Sequence, residues 1–169
     1  MDRNDSEHDN RYQRHALIDW FDQDRVCATR VVVVGAGAIG NEVLKNLALL
    51  GVGWVTIIDF DKIETHNLTR TVLFRESEIG SYKSMVAAQA CKRINPGMSV
   101  EFRVGDFWDV LTIEEIAAAD AVLCCVDNFE ARIRLNTLCL LAETDLYNTG
   151  IDNQYATTKV FPYNSQTNN

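Results

Sequence analysis

Proline is scarce, with two residues among 169, and basic residues are outnumbered by acidic ones, 16 against 24. So little proline excludes collagen-like and polyproline architectures. A formal charge of −8 repels nucleic acid and anionic membranes, so no partner of either kind is expected and any cluster of Arg or Lys needs a local reason. Long apolar runs are missing too: even A-A-A-D-A-V-L-C-C-V is too short to span a bilayer and carries Asp120. The first ten residues, M-D-R-N-D-S-E-H-D-N, lack the apolar core of a signal peptide. Histidine is rare, and His8, His15 and His66 do not stand at metal-ligand spacing. The five cysteines (Cys27, Cys91, Cys124, Cys125 and Cys139) form no C-x-x-C pair and are odd in number. These absences argue against zinc and a disulfide framework, and for a reducing, cytoplasmic setting.

What remains is 47% apolar and 24% charged, the balance of a core-forming globule, at a length suited to one domain. Residues 1–10 read as a disordered tail, 11–163 as the folded domain, and the Asn/Ser/Gln-rich 164–169 as a second tail resembling a loop cut open. The pattern at 11–21, R-Y-Q-R-H-A-L-I-D-W-F, suits a short amphipathic helix. Four valines at 31–34 have the composition of a strand buried on both faces. A helix is predicted over 38–50, with Ile39, Val43, Leu47 and Leu50 at core spacing and Gly51 and Gly53 ending it. A strand at 54–59 follows, then a helix at 82–94 carrying Val86, Ala90 and Ile94, stopped by Asn95-Pro96-Gly97. Strands are expected at 100–104, 121–126, 146–149 and 157–161, with a helix bearing Leu135, Leu138 and Ala142 after the second of these. Strands alternating with helices predict an α/β fold, a Rossmann-like, mostly parallel sheet with helices on both faces.

Between the first strand and first helix stands G-A-G-A-I-G. Gly35 allows the tight turn, Gly37 lets backbone approach a phosphate, and Gly40 lets helix and strand pack closely. The helix N-terminus offers unpaired N–H groups to an anion. Asp59, nineteen residues after Gly40, ends the second strand where a carboxylate can take ribose hydroxyls. On these residues alone an NAD(P)-dependent oxidoreductase is the default reading. Three features point away from it: some thirty residues precede the first strand, Asp61 adds a second carboxylate at the mouth of the second, and Asn67, Arg70 and Lys83 gather polar and cationic groups downstream.

In order, R-Y-Q-R-H (11–15), G-A-G-A-I-G (35–40), G-V-G (51–53), D-F-D-K-I-E-T-H-N-L-T-R (59–70), G-S-Y-K (80–83) and C-V-D-N-F-E-A-R (125–132) resemble one family. It is the adenylating domain of ubiquitin-activating enzymes and their bacterial relatives, the ThiF, MoeB and HesA adenylyltransferases. The resemblance implies that ATP and Mg²⁺ activate the C-terminal glycine of a ubiquitin-like or sulfur-carrier protein as an acyl adenylate, releasing pyrophosphate. It implies that Asp59 holds the ribose with Asp61 beside it, that Asn67, Arg70 and Lys83 hold phosphates, and that Asp127 binds Mg²⁺. Arg14 would reach the triphosphate from the neighbouring subunit of a homodimer. The chemistry agrees: attack by a carboxylate on the α-phosphate pushes charge onto pyrophosphate, which calls for cations and a metal more than a covalent nucleophile.

Blander roles stay open. Asp127 is a candidate cap for the next helix, but Asn128 already fits that role; Asp61, Asn67 and Arg132 read equally well as structural hydrogen-bonders; Arg14, Arg70 and Lys83 can be solvated surface charges. Cys124 and Cys125 read as buried thiols. The family's zinc-binding cysteine pairs and later reactive cysteine are missing, Thr71 stands where glutamine is common, and Tyr155-Ala156-Thr157 replaces a second glycine. The chain therefore reads as a truncated or minimal relative, with a non-catalytic subunit as a further alternative.

Overall fold

Val31, Val32, Val33 and Val34 are all buried, which requires protein on both faces and both edges of the strand that carries them. That strand, β1 (Arg30–Val34), is central in a six-stranded sheet of order β3-β2-β1-β4-β5-β6. The computed structural model describes residues 11–151 and 154–163, so both predicted tails lie outside the described residues. In chain order the elements are α1 (Gln23–Ala28), β1, α2 (Ala38–Leu50), β2 (Trp54–Ile58), α3 (Lys83–Ile94), β3 (Ser99–Arg103), α4 (Phe107–Val110), α5 (Ile113–Ala117), β4 (Ala121–Cys124), α6 (Phe129–Leu141), β5 (Leu146–Ile151) and β6 (Ala156–Phe161). β1 to β5 run parallel and β6 returns antiparallel. Val32 pairs with Thr56 on one side and Val122 on the other. Among the described residues no helix is long and apolar enough to cross a membrane.

The valines sort by parity. Val31 and Val33 join a core with α2 and α3 residues such as Leu44, Val86 and Cys91. Val32 and Val34 join the opposite core with Phe107, Ile116, Leu135 and Leu138 from α4, α5 and α6. At about 2 kcal/mol for each fully buried branched side chain, the run contributes on the order of 8 kcal/mol before entropy is counted. On the α2 face, Leu123, Tyr147 and Val160 lie side by side in register, and exposure grows outward: Leu123 and Tyr147 are half-buried, Val160 is 51% exposed.

The segment at 11–21 departs from the predicted amphipathic helix. It is a turn followed by a 3-10 helix, His15–Leu17, that buries nothing. It is held to the rest by polar contacts. Asn95 Nδ2 donates to the Tyr12 hydroxyl at 2.9 Å, the His15 ring nitrogen meets Gln23 Oε1 at 2.6 Å, and Gln23 Nε2 donates to the Leu50 carbonyl at 3.0 Å. Gly51, at φ +86°, leaves the space filled by the Tyr12 ring, whose hydroxyl would stand 2.4 Å from an added Cβ. Leu17 and Trp20 stay 72% and 83% exposed, because no apolar face among the described residues covers them.

The pattern assigns no element to 105–120, where α4 and α5 lie; both are too short to show a period. Each is started by a side-chain cap, Asp106 on Trp108 and Thr112 on Glu115. β4 ends at Cys124 rather than residue 126, because its pairing with β5 stops there.

Arg103, at the end of β3, pins this layer: it donates to the Val110 carbonyl and, through both terminal nitrogens, to the Glu115 carboxylate. The Arg103 hydrogen bonds hold the Glu115 carboxyl down to about 2, from an ordinary 4.5. A depressed carboxyl stabilises the fold above its unfolded value and loses that contribution as pH falls toward the folded value. With the Glu115 side chain 39% exposed, screening leaves about 1 kcal/mol. Urea titrations should therefore show Glu115→Gln less stable than wild type by about 1 kcal/mol at pH 7, with the gap shrinking between about pH 4.5 and pH 2; a gap unchanged by pH would contradict the pairing.

Candidate functional site

The strand order reverses direction between β1 and β4, and the carboxyl ends of β1, β2, β4 and β5 open there into a cleft of ≈ 1190 Å³. The glycine loop forms its floor. Gly35 adopts φ +96°, where an added Cβ would stand 2.8 Å from the Cys125 carbonyl oxygen. At Gly40 the Cβ would stand 2.0 Å from the Gly35 carbonyl oxygen, so helix and loop touch backbone to backbone. Gly37 differs: nothing lies within 4 Å of its Cβ position, and it begins α2 facing open space.

Two side chains hold this loop. Asn41, fully buried, donates through Nδ2 to the carbonyls of Ala36 at 2.8 Å and Gly37 at 3.1 Å, and its Oδ1 accepts from Leu73 N–H at 2.9 Å. Sequence reasoning missed it; the available signal was a polar residue in the first turn of an otherwise apolar helix face. Asp59 does the second half of the work, Oδ2 accepting from Ala36 N–H and Oδ1 from Asp61 N–H, each at 2.7 Å. Burial pushes the Asp59 carboxyl up, against the pull of those two amides and Lys83.

Lys83 is buried and opens α3, the end of a helix where a positive charge is disfavoured. Its Nζ lies 2.7 Å from Asp61 Oδ2, and Ser84 beside it donates to the Asp59 carbonyl at 2.9 Å. Arg70 follows the 3-10 helix Thr65–Thr69; one guanidinium nitrogen donates to the His66 carbonyl at 2.7 Å and the side chain is exposed at the cleft. Asn67 lines the same wall, but its Oδ1 is committed to the fold, accepting from Glu64 N–H at 2.9 Å. Thr71 donates to the Asn67 carbonyl at 2.9 Å.

Asp127 follows β4 on the opposite wall. Asn128 caps α6, accepting from Ala131 N–H at 2.8 Å, which leaves the Asp127 carboxylate exposed and, among the described residues, without a hydrogen bond or ion pair. Arg132 is spent on structure, its guanidinium donating to Val126 and Thr149 carbonyls and to Asn148 Oδ1. Lys159 on β6 also lines the cleft and was not anticipated.

Arg14 is not brought to this cleft. Its segment packs at the other end of the sheet, where Arg11 donates to the Ile94 carbonyl and Tyr12 meets Asn95. Cys124 and Cys125 are buried, and burial pushes the Cys125 thiol up to about 12, so neither is poised as a nucleophile. Among the described residues no three His, Cys, Asp or Glu side chains form a metal cage.

A phosphate-type loop at the switch point of a parallel sheet, ringed by a buried lysine, an exposed arginine and an uncommitted carboxylate, defines a nucleotide-binding α/β domain. The ThiF family model matches residues 10–168, and the chain belongs to that family. It is 38% identical to the SAMP-activating enzyme E1 of Haloferax volcanii over 133 residues, 76% of this chain and 49% of that protein. With the molybdopterin-synthase adenylyltransferase of Salmonella typhimurium it shares 35% identity over 159 residues, 90% of this chain and 63% of the enzyme. The crystal structure of E. coli MccB with AMPCPP and MccA superposes with a TM-score of 0.78 at 28% identity, covering 95% of this chain and 51% of MccB. The chain thus spans about half the length of the archaeal enzyme and of MccB.

The glycines separate packing from binding. Gly40→Ala should cost about 3 kcal/mol in a urea titration, since backbone meets backbone. Gly37→Ala should stay within about 1 kcal/mol of wild type yet weaken ATP binding in calorimetric titration, because its Cβ enters the open space. Equal stability losses at the two positions would contradict this division.

Proposed function

We propose that this domain is an ATP-dependent adenylyltransferase that activates the C-terminal carboxylate of a ubiquitin-like or sulfur-carrier protein, or of a peptide, as an acyl adenylate. The observation that carries this reading is the concentration of Lys83, Arg70 and the uncommitted Asp127 around the open Gly37 loop, in a chain of net charge −8 and ThiF membership. The activities named for the archaeal and Salmonella relatives, and AMPCPP in the MccB complex, support it.

In this reading the Gly35–Gly40 loop and the start of α2 present N–H groups to the phosphates, and the Asp59 carboxylate, oriented by its two amide partners, accepts from ribose hydroxyls. Lys83 exchanges part of its bond to Asp61 for a phosphate oxygen, and Arg70 swings its free guanidinium edge to the phosphate chain. Both cations answer the charge that builds on departing pyrophosphate. Asp127 fits Mg²⁺: a single exposed carboxylate suits an ion that takes its other ligands from phosphates and water. Mg²⁺ bound there supplies charge neutralisation on the phosphate chain. An NAD(P)-dependent oxidoreductase explains neither the two cations nor the uncommitted carboxylate.

The working unit in this proposal is a homodimer. The half-open sheet face of Leu123, Tyr147 and Val160, and the exposed Leu17 and Trp20, give apolar area that a second copy would cover. Arg14, remote from its own cleft, then serves the partner's ATP. The five unpaired cysteines support a cytoplasmic location.

Calorimetry should find ATP–Mg²⁺ bound in preference to NAD⁺; tighter NAD⁺ binding overturns the proposal. Sedimentation should give a dimer that Tyr147→Arg combined with Val160→Asp converts to the 19.1 kDa monomer. Arg14→Ala should weaken ATP–Mg²⁺ binding roughly tenfold in the dimer, the loss of one charge-assisted contact, and leave the engineered monomer unaffected. A wild-type chain that sediments as a monomer removes the dimer from the proposal.

A further inference from the structure

β4 and β5 pair at three positions, the last being Cys124 with Asn148. Beyond it the strands part, and their carboxyl ends form the lips of the cleft between them. A guanidinium crosses the gap. Arg132, at the end of the first turn of α6, donates from one terminal nitrogen to Asn148 Oδ1 and to the Thr149 carbonyl on β5. Its other terminal nitrogen donates to the Val126 carbonyl beyond β4. Thr149 Oγ1 adds a second tie, to the Cys124 carbonyl at 3.0 Å.

The Val126 carbonyl is not an arbitrary acceptor. It belongs to the rigid planar peptide whose nitrogen is that of Asp127, so gripping the oxygen sets where the Asp127 Cα stands. On the other side the Asn128 cap fixes the start of α6. The Asp127 side chain has no partner of its own among the described residues, so this backbone bracket is what sets the Cα from which its carboxylate extends.

We propose that Arg132 is a positioning residue: by clamping the Val126–Asp127 peptide to β5 it holds the Asp127 carboxylate where a nucleotide-bound divalent cation can reach it. Three of its five N–H donors are committed to protein acceptors, on both lips of the cleft. The clamp needs a planar fork. Lysine, a point donor on a flexible stem, satisfies one lip and releases the other. The proposal rests on the nucleotide reading above for the identity of the ligand; the geometry of the clamp does not.

The experiment is calorimetric titration of ATP into the full chain, with Mg²⁺ and with a chelator, for wild type, Arg132→Lys, Arg132→Met, Asp127→Asn and the Arg132→Lys/Asp127→Asn double variant. Wild type should bind ATP more tightly with Mg²⁺. Each Arg132 variant should keep the metal-free affinity within about twofold and lose about tenfold or more of the Mg²⁺ enhancement, the usual scale for a residue that orients a metal ligand. The double variant should lose no more than Asp127→Asn alone, because Arg132 acts through Asp127. Fluorescence thermal shifts confirm folding, and Arg132→Lys carries the test if Arg132→Met fails to fold.

An Arg132→Lys variant with the full wild-type enhancement overturns the clamp. So does an equal loss with and without metal, which makes Arg132 a direct phosphate contact or a general stabiliser. Additive losses in the double variant also overturn it. A wild-type chain whose ATP affinity ignores Mg²⁺ removes the nucleotide–metal reading itself, and the role of Arg132 with it.

Discussion

The Asp59 carboxylate is the joint on which the site turns. One oxygen takes the Ala36 amide, fixing the loop that leaves β1, and the other takes the Asp61 amide, fixing the chain that leaves β2. Its backbone carbonyl receives Ser84, which brings the start of α3 to the same place and Lys83 with it. Three connections that are far apart in sequence are thus gathered by one residue. A carboxylate carries this burial because both oxygens are satisfied by amides that the fold holds still; an amide side chain in its place would offer one acceptor where two are needed.

Around that joint the polar groups divide into those that the fold consumes and those it leaves uncommitted. Asn41, Asn67, Asp59 and Arg132 are largely consumed by backbone partners, whereas Arg70 and Asp127 keep donors or acceptors facing the cleft. Lys83 is intermediate, buried and paired with Asp61, whose own side chain is 54% exposed and so able to rearrange. A binding site of this kind needs both sorts. The consumed groups hold the geometry, and the uncommitted ones supply the interaction with a ligand.

Much of this was legible in the residues. The valine run, the glycine loop and the carboxylate ending β2 follow from composition and spacing, because parallel strands bury both faces and a tight turn tolerates few residue types. Pairings across the fold were not legible. Nothing in the local pattern joins Lys83 to Asp61, or shows that Asn67 spends its oxygen on Glu64, whereas the Asn128 cap that releases Asp127 was readable from its place before the helix. The apolar residues at 11–21 have helical spacing, yet periodicity is silent on whether the same chain supplies a face to bury them, and here Leu17 and Trp20 are left in solvent. α4 and α5 were missed for want of length, although Thr112 and Glu115 spell a capping box.

The central place of β1 also bears on how the chain is built. Its partner on one edge, β2, follows after a single helix, but Val31 meets Ala121 on the other edge, a separation of 90 residues. During synthesis β1, α2, β2, α3 and β3 can close into a half-sheet well before β4 emerges. Until then the valine strand shows an unpaired apolar edge, a template for pairing with another chain. Its completion waits on a loop closure much longer than the first, which slows folding and lengthens the interval of exposure. A nascent chain halted short of residue 121 presents that edge to whatever chaperone or neighbouring chain meets it first.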